Sequence, residues 1–330
     1  MTRAGLVGYG MAGREFHAPL LARAGCVVAA VATRDPGRVA EVGAAYPGAV
    51  VVPDLQALLA LDDLDVVVLA SPTGVHAEQA MACVAAGVAV VVDKPLAVSA
   101  PRAAAVVAAA AEAGVPLTVF QNRRYDPEFA TMRELVSSGV LGELIRAELR
   151  WERWRPVPKD RWRENAAAAE GGGIMLDLHT HLLDQAVQLF GPVARVYAEV
   201  RAYTTRAEDE AFLACTHVSG MSSHIGATSL SGAAGPRLRL LGRGGTYLLA
   251  VAGQEESLLT ELGNDATHHG WLMRGSERER VQAQHADPVD FYRSVAAALG
   301  SADRQTAMPV DPADAVHVLA VIDAARTSAA

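Results

Sequence analysis

The chain of 330 residues exceeds what one hydrophobic core usually serves, so its length predicts two domains. Hydrophobic residues make up 51% and aromatic residues 5% of the chain, a composition typical of buried parallel strands covered by Ala-rich helices. The formal net charge of −8 disfavours a general nucleic-acid-binding protein, because phosphate binding requires a concentrated basic surface.

We expect a soluble cytoplasmic protein with no membrane partner. The longest apolar run, residues 103–111, is shorter than the ~20 residues that a membrane span requires. The first residues lack the apolar region of a signal peptide. Three widely separated cysteines, Cys26, Cys83 and Cys215, fit no metal-ligand spacing and are typical of buried thiols in a reducing compartment.

The N-terminal segment carries the fingerprint of a dinucleotide-binding Rossmann fold. An apolar strand leads into Gly8-x-Gly10-x-x-Gly13 and then into helix-forming residues. The first glycine permits a tight turn, the second lets the backbone approach a pyrophosphate, and the third lets the helix pack closely on the strand. The helix N-terminus then offers free N–H groups to the phosphates. We therefore predict cofactor contacts at Gly8, Gly10, Met11, Ala12 and Gly13.

The end of the second predicted strand, residues 26–32, indicates which dinucleotide binds. An acidic residue there would bind both ribose hydroxyls of NAD, whereas a hydroxyl followed by a guanidinium suits the 2′-phosphate of NADP. Thr33 and Arg34 occupy this position and favour NADP(H), with NAD(H) as the second candidate. The alternative is a solvated Arg34 with Asp35 as the ribose ligand.

Further apolar runs predict the remaining strands of a doubly wound parallel sheet, at residues 49–52, 65–70, 88–95 and 116–120. A short helix is predicted at 55–59 and an Ala-rich helix ending near 113. The strand at 65–70 runs into a proline-bearing turn at the sheet edge where ligands bind. Its candidate cofactor contacts are Ser71, Pro72, Thr73 and His76, although His76 also suits a plain helix start.

Lys94 lies at the carboxyl end of the fifth predicted strand, between Asp93 and Pro95. Proline fixes its own φ and restricts the residue before it, so the backbone of the lysine is stiff. Such a lysine can contact the cofactor and can hydrogen-bond or protonate a substrate oxygen. The alternative is a surface lysine that closes a strand.

Residues 121–126 mark the crossover between an expected NADP-binding Rossmann domain, 1–121, and an expected substrate-binding and oligomerisation domain, 122–330. Asn122, Arg123 and Arg124 follow a strand end, where we expect them to bind substrate hydroxyls or to tie the domains together.

A helix at 127–138 and a strand at 143–154 precede a polar loop containing Trp162, which we expect at the rim of the substrate pocket. The arginines and tryptophans of 150–163 predict stacked, ion-paired residues rather than a nucleic-acid strip.

Residues 171–185 form the second chemical centre of the sequence. Three glycines precede leucines at helical spacing, which predicts a helix buried on more than one side. Asp177 and His181 are four residues apart and share one face of it. A carboxylate beside an imidazole fixes its tautomer and raises its basicity, which suits a base that takes a hydroxyl proton during hydride transfer. A surface ion pair is the alternative, and Asp184, one turn further on, is expected to be structural.

These motifs resemble the Gfo/Idh/MocA oxidoreductase family, and most of all its branch of NADP-dependent scyllo-inositol dehydrogenases. The resemblance rests on residues 8–17, 71–76, 93–95, 122–126, 177–185, 189–192 and 253–255. It implies a catalytic set of Lys94, Asp177 and His181. Two positions depart from the family pattern: Asp93 replaces the usual Glu, and His179 replaces the Gly of Asp-x-Gly-x-His and is expected to point away from the Asp177/His181 face.

The remainder of the chain predicts an α+β domain. Runs typical of strands occur at residues 196–203, 211–217, 224–228, 237–241 and 246–251, and predict an open, mostly antiparallel sheet. One face should cover the Asp177 helix, and the other should pair with a second subunit in a homodimer or homotetramer. His268 and His269 fall in a predicted polar loop without metal-ligand spacing, so we expect no metal. One helix should end at residue 299, and a final helix, about 311–328, should pack back on the Rossmann domain.

The sequence thus predicts an NADP(H)-dependent oxidoreductase acting on a small cyclic polyol such as an inositol. The expected substrate contacts are Asn122, Arg123, Trp162, Asp177 and His181. A sugar or aldose ketoreductase is the alternative among enzymes, and an NADP(H)-binding sensor is the alternative outside them.

Overall fold

The computed structural model describes residues 1–250, 262 and 268–329. Its chain divides into two compact units: residues 1–122 together with 288–316, and residues 123–287 together with the chain from His317 onward. The expected domain bounds and the packing of the final helix on the Rossmann domain stay predictions.

The first unit is built on a six-stranded parallel sheet in the order β3-β2-β1-β4-β5-β6. Its strands are β1 Arg3–Val7, β2 Val27–Ala32, β3 Val50–Val52, β4 Val66–Leu69, β5 Ala89–Asp93 and β6 Leu117–Phe120. Strands β4 and β6 are buried along their whole length, as expected when helices cover both faces of a parallel sheet. The predicted Rossmann sheet is confirmed, and β2 to β6 lie within two residues of the predicted bounds.

The described residues form ten α-helices: α1 Ala18–Arg23, α2 Pro36–Ala45, α3 Leu55–Leu59, α4 His76–Ala85, α5 Ala100–Ala113, α6 Pro127–Ser137, α7 Trp162–Asn165, α8 Thr180–Phe190, α9 Val289–Leu299 and α10 Pro312–Ala329. Three short 3₁₀ turns lie at Thr73–Val75, Asn122–Tyr125 and Ala168–Glu170. Their ends follow local chemistry: Asp35 and Asp54 cap α2 and α3 by accepting backbone N–H groups, and Gly114 ends α5 with φ +64°.

An eight-stranded sheet forms the second unit, in the order β14-β13-β12-β11-β7-β10-β9-β8. Its strands are β7 Leu144–Glu152, β8 Val193–Arg201, β9 Glu210–His217, β10 Ser222–Thr228, β11 Leu238–Gly242, β12 Gly245–Leu249, β13 His268–Arg274 and β14 Glu277–Gln282. All neighbours pair antiparallel except β7 and β10, so the predicted mostly antiparallel sheet is confirmed. Helix α8 packs on β7 and β10.

One local prediction was wrong. His268 and His269 lie in strand β13 rather than in a loop. The neighbouring strand β14 begins with exposed charged residues and shows no apolar alternation, so the sequence gives no strand signal for it. The buried helix predicted around Asp177 is confirmed, and it opens with a π-helical turn, Met175–His179, in which the N–H of Thr180 donates to the carbonyl of Met175. Val251 and residues 253–255 lie outside the described residues.

The three cysteines are free and buried, as predicted. Burial raises the pKa of both Cys83 and Cys215 to about 12, so these thiols stay protonated and unreactive at neutral pH. Within the described part of the chain, no helix is long and apolar enough to cross a membrane. The same residues contain no group of three or more His, Cys, Asp or Glu side chains that could hold a metal ion.

Candidate active site

The glycine fingerprint follows β1, and each of its glycines meets a different steric demand. Gly8 has φ +93°, and a Cβ there would lie 2.8 Å from the carbonyl oxygen of Ala70. A Cβ at Gly13 would lie 2.2 Å from the carbonyl oxygen of Gly8, so the following helix can pack here only without a side chain. At Gly10 a Cβ would meet nothing within 4 Å. This open space beside the backbone fits the approach of a pyrophosphate.

The helix after the fingerprint opens with a π-helical turn, Gly13–His17, rather than a regular α-helical turn. The N–H of Ala18 donates to the carbonyl of Gly13, five residues back. Both helices that carry the sequence motifs therefore begin with a π-helical turn, a form that is rare in proteins and frequent at functional sites.

The end of β2 is where we predict that the 2′-phosphate of the cofactor binds. The guanidinium of Arg34 and the carboxylates of Asp35 and Asp54 lie around this position. Nη2 of Arg34 lies 2.8 Å from Oδ2 of Asp54, and the Arg34 side chain is 74% exposed. Asp35, the alternative ribose ligand, accepts the N–H of Arg38 and caps α2. The N–H of Thr33 donates to the carbonyl of Val52, which ties this turn to β3.

The turn after β4 places Ser71, Thr73 and His76 as the sequence predicted, and His76 begins α4. His76 is buried, and its ring nitrogens lie 2.8 Å from the carbonyl oxygens of Pro95 and Ser71. His76 thus links this turn to the segment that carries Lys94. Its contact with a cofactor stays a prediction beside this structural role.

A buried chain of polar groups lies behind Lys94, which follows β5 directly. Oδ2 of the neighbouring Asp93 is 3.7 Å from Nε2 of His17, and Nδ1 of His17 is 2.5 Å from the hydroxyl of Tyr292. The ring of Phe120 packs on His17 with centroids 4.6 Å apart. The sequence did not identify this role of His17, because its partner lies 275 residues away along the chain.

The protonation states along this chain follow from burial and charge. Burial raises the pKa of the Asp93 carboxyl, but His17, Lys94 and His76 outweigh that effect and lower it. Burial also holds the pKa of Tyr292 well above its usual value. The protonated hydroxyl therefore donates to Nδ1 of His17, which leaves the N–H at Nε2 directed toward an ionised Asp93.

The second unit brings two arginines to Asp177 that the sequence did not single out. Oδ2 of Asp177 lies 3.9 Å from Nη1 of Arg153, and its Oδ1 lies 3.6 Å from Nε of Arg163. Burial lowers the pKa of Arg153 to about 10, and Asp177 opposes the shift. His181 lies in the first turn of α8 and is 6% exposed. Asp177 is therefore held as an anion between guanidinium groups at the start of the helix.

Trp151 on β7 is the centre of a cluster of cations beside His181. The guanidinium carbons of Arg237, Arg123 and Arg153 lie 4.4, 5.0 and 5.4 Å from the centroid of its ring. The ring of His181 is centred 6.1 Å away. The predicted stacked, ion-paired arrangement of residues 150–163 is confirmed, because Arg163 also stacks on Trp162 at 4.9 Å.

Arg123 and Arg124, which the sequence singled out in the crossover segment, form ion pairs within the second unit. Arg123 pairs with Asp126 at 2.6 Å while it lies on Trp151, so its substrate contact stays a prediction. Arg124 makes two bonds of 2.8 and 2.6 Å to Asp184, which is 1% exposed. This pair confirms the structural role expected for Asp184.

A small cavity of about 40 Å³ opens beside the start of the Asp177 helix, entirely within the second unit. Its charged lining residues are Arg153, Arg155, Arg163, Glu164, Asp177, Glu208 and Asp209. Three of the acids have other partners: Glu164 pairs with Arg161, Glu208 pairs with Arg326, and Asp209 accepts bonds from Tyr203 and Thr204. Asp177 is therefore the acid that faces the arginines of the cavity.

His179, the departure from the family pattern, is fully buried. Burial lowers its pKa to about 4, and backbone groups of Ile174, Ala211 and Ile225 only partly oppose the shift. The ring is therefore neutral at physiological pH. Backbone groups of Ala211 on β9 and Ile225 on β10 lie near the ring, and its expected direction away from the Asp177/His181 face stays a prediction.

Comparisons with known proteins agree with this arrangement. Residues 2–121 match the model of an oxidoreductase family with an NAD-binding Rossmann fold, and residues 129–248 match the GFO/IDH/MocA C-terminal domain. The chain is 30% identical to scyllo-inositol 2-dehydrogenase (NADP(+)) IolW of Bacillus subtilis, over 99% of this chain and 93% of the relative. It is 32% identical to the uncharacterized oxidoreductase YdgJ of Escherichia coli, over 99% and 96% of the two chains.

Solved structures extend the likeness to three dimensions. The oxidoreductase yvaA of Bacillus subtilis superposes with a TM-score of 0.85 at 29% identity, covering 99% of this chain and 95% of the other. Relatives at 30% and 32% identity over nearly the whole chain, and a family match in each half of it, show that this chain is an oxidoreductase of the GFO/IDH/MocA family.

Proposed function

We propose that this oxidoreductase transfers a hydride between NADP(H) and a secondary alcohol or ketone of a cyclic polyol such as an inositol. The observation that carries the proposal is the start of the Asp177 helix, where a carboxylate held by two arginines lies one helical turn from His181 and beside a cavity. The relative from Bacillus subtilis, which is named for scyllo-inositol and NADP(+), supports the same chemistry.

The lining of the cavity suits a ligand rich in hydroxyl groups. A hydroxyl donates one hydrogen bond and accepts others, so it needs both kinds of partner. Arg155 and Arg163 supply donors, and Asp177 supplies an acceptor, in the same cavity. A hydroxyl that enters this small, open cavity from a polyol ring at its mouth would satisfy both sets without burying an unpaired charge.

We assign the proton chemistry to His181 and Asp177. In the reduction, His181 gives a proton to the carbonyl oxygen as it becomes an alcohol, and in the oxidation it takes that proton back. Asp177, kept ionised by Arg153 and Arg163, orients the imidazole and stabilises its protonated form. Lys94 polarises the same oxygen with its ammonium group. The bound nicotinamide supplies or accepts the hydride.

The preference for NADP(H) rests on Arg34 and Thr33 at the end of β2. The Arg34 guanidinium is largely exposed there, so it is accessible to an added phosphate. The predicted contacts of Gly8 to Gly13 and of the turn at residues 71–76 belong to the same proposed cofactor site.

The test separates chemistry from binding. His181→Asn should lower kcat for reduction of a keto-inositol by about 10²- to 10⁴-fold, because a positioned acid–base group contributes that much. Lys94→Met should remove turnover, and both variants should still bind NADPH by fluorescence titration. The chain contains one other lysine, the exposed Lys159, so Lys159→Met is a matched control that should keep the wild-type rate.

The same experiment distinguishes the proposed residue roles and the proposed enzyme activity from their alternatives. A wild-type rate in His181→Asn or in Lys94→Met would contradict the role assigned to that residue. Tight NADPH binding by the wild-type protein with no turnover on any polyol ketone would indicate a sensor instead of an enzyme.

We also propose that the sheet of the second unit joins two subunits, in a homodimer or homotetramer. On β7 the side chain of Glu148, which is 4% exposed, is ion-paired to Arg146, Arg150 and Arg239. On the edge strand β8, Tyr197 is 60% exposed. Light scattering should give a mass at least twice the 34.6 kDa of one chain, and a monomer mass would contradict this part of the proposal.

A further inference from the structure

The guanidinium expected at the 2′-phosphate position already has an anionic partner. Arg34 lies at the end of β2, and its Nη2 is 2.8 Å from Oδ2 of Asp54. Of the two side chains, Arg34 is 74% exposed and Asp54 is 41% exposed. An exposed pair of this kind exchanges readily with another anion, because water screens the attraction.

The two partners differ in their freedom to move. Asp54 is the N-cap of α3, and its Oδ1 accepts the N–H of Ala57 at 3.0 Å while its Oδ2 faces Arg34. The N–H of Ala57 and the guanidinium of Arg34 lower the pKa of Asp54, so the carboxylate is ionised at neutral pH. Arg34 has a long, exposed side chain that can turn toward a ligand. The carboxylate therefore stays in place when the guanidinium moves.

We propose that Asp54 is a specificity-determining residue that weakens the binding of NADP(H) relative to NAD(H) by competing with the 2′-phosphate for Arg34. The inference rests on the proposed use of Arg34 as the phosphate ligand. A dinucleotide with a 2′-phosphate must draw Arg34 away from a fixed carboxylate or share it with one. A dinucleotide without that phosphate leaves the ion pair intact, so Asp54 affects only one of the two cofactors.

The competing acid can be removed without removing the helix cap. Asparagine caps helices about as well as aspartate, because its side-chain oxygen accepts the same backbone N–H. Asp54→Asn therefore keeps the bond to Ala57 and removes the charge beside Arg34. A surface ion pair is worth a few-fold in an equilibrium constant, and the phosphate also escapes repulsion by the carboxylate. We expect the Kd for NADPH to fall about three- to tenfold while the Kd for NADH changes less than twofold.

Cofactor fluorescence gives both dissociation constants without any turnover. The control is the same substitution in a chain that carries Arg34→Gln, where competition for the guanidinium no longer exists. In that background Asp54→Asn should tighten NADPH binding less than half as much as it does beside Arg34, because only the relief of repulsion between the carboxylate and the phosphate remains. Asp54→Ser, which also retains a capping oxygen, provides a second variant if the first is unstable.

Each outcome separates this inference from the proposed function. Selective tightening of NADPH binding in Asp54→Asn that falls to less than half in the Arg34→Gln background supports the inference. An unchanged or weaker NADPH affinity in Asp54→Asn, or an equal gain without Arg34, overturns it while leaving the oxidoreductase proposal in place. Failure of the wild-type protein to bind either dinucleotide would overturn the proposed function and this inference together.

Discussion

His179 should make the protein sensitive to acid, because its ring is fully buried and neutral. Burial lowers its pKa from 6.5 to about 4, so between these values the unfolded chain binds a proton that the folded chain does not. The stability gained from the neutral ring is complete above pH 6.5 and is lost as the pH falls toward 4. The full loss is about 3 kcal/mol, since one pKa unit corresponds to about 1.4 kcal/mol.

His179→Leu tests this reasoning directly. Among the described residues, backbone groups of Ile174, Ala211 and Ile225 lie near the His179 ring, but neither ring nitrogen makes a hydrogen bond of good geometry, so an apolar side chain of similar size should be tolerated at neutral pH. Between pH 7.5 and pH 5 the wild-type protein should lose about 2 kcal/mol more unfolding free energy than the variant. Urea unfolding at the two pH values measures the difference. Parallel losses in the two proteins would refute the assignment of a buried, neutral His179.

Two further substitutions probe the packing around the site. Gly173→Ala should destabilise the protein by about 4 kcal/mol or more, because φ is +96° and the new Cβ would lie 2.5 Å from Oε1 of Glu208, whose carboxylate is held in a buried ion pair. Gly220→Ala is the control, because Gly220 also has a positive φ, +86°, but has open space around the new Cβ. It should lower the free energy of unfolding by only about 1–2 kcal/mol, the cost of the backbone conformation alone. Equal losses for the two variants in urea unfolding would contradict the clash at Gly173. Tyr292→Phe should lower the free energy of unfolding by about 1–3 kcal/mol, because it leaves Nδ1 of buried His17 without its partner. An unchanged unfolding curve would contradict a stabilising role for that hydrogen bond.

Continuous apolar runs made the first sheet predictable from sequence. Strands β4 and β5 are short, valine-rich runs that are almost entirely buried, and a Cβ at Gly8 or Gly13 of the fingerprint would collide with the backbone. The helices predicted at 55–59 and ending near 113 are confirmed, and the structure shows that the Asp54 carboxylate caps one and that Gly114, in the left-handed conformation, ends the other.

Features that depend on distant residues could not be predicted. The partner of His17 is Tyr292, and no local pattern relates the two positions. The convergence of Arg153 and Arg163 on Asp177 requires the strand, the loop and the helix to be folded first. The hairpin of β13 and β14 carries mostly charged and exposed residues at its outer strand, so hydrophobic periodicity gives no signal there.

The central claim is tested most directly by NADPH oxidation, followed by absorbance, with a keto-inositol as substrate. We expect turnover with NADPH and a lower kcat/KM with NADH, because we propose that the exposed Arg34 guanidinium binds the 2′-phosphate. Absence of turnover in a protein that still binds NADPH would contradict the assignment of a cyclic polyol to the site beside Asp177 and His181.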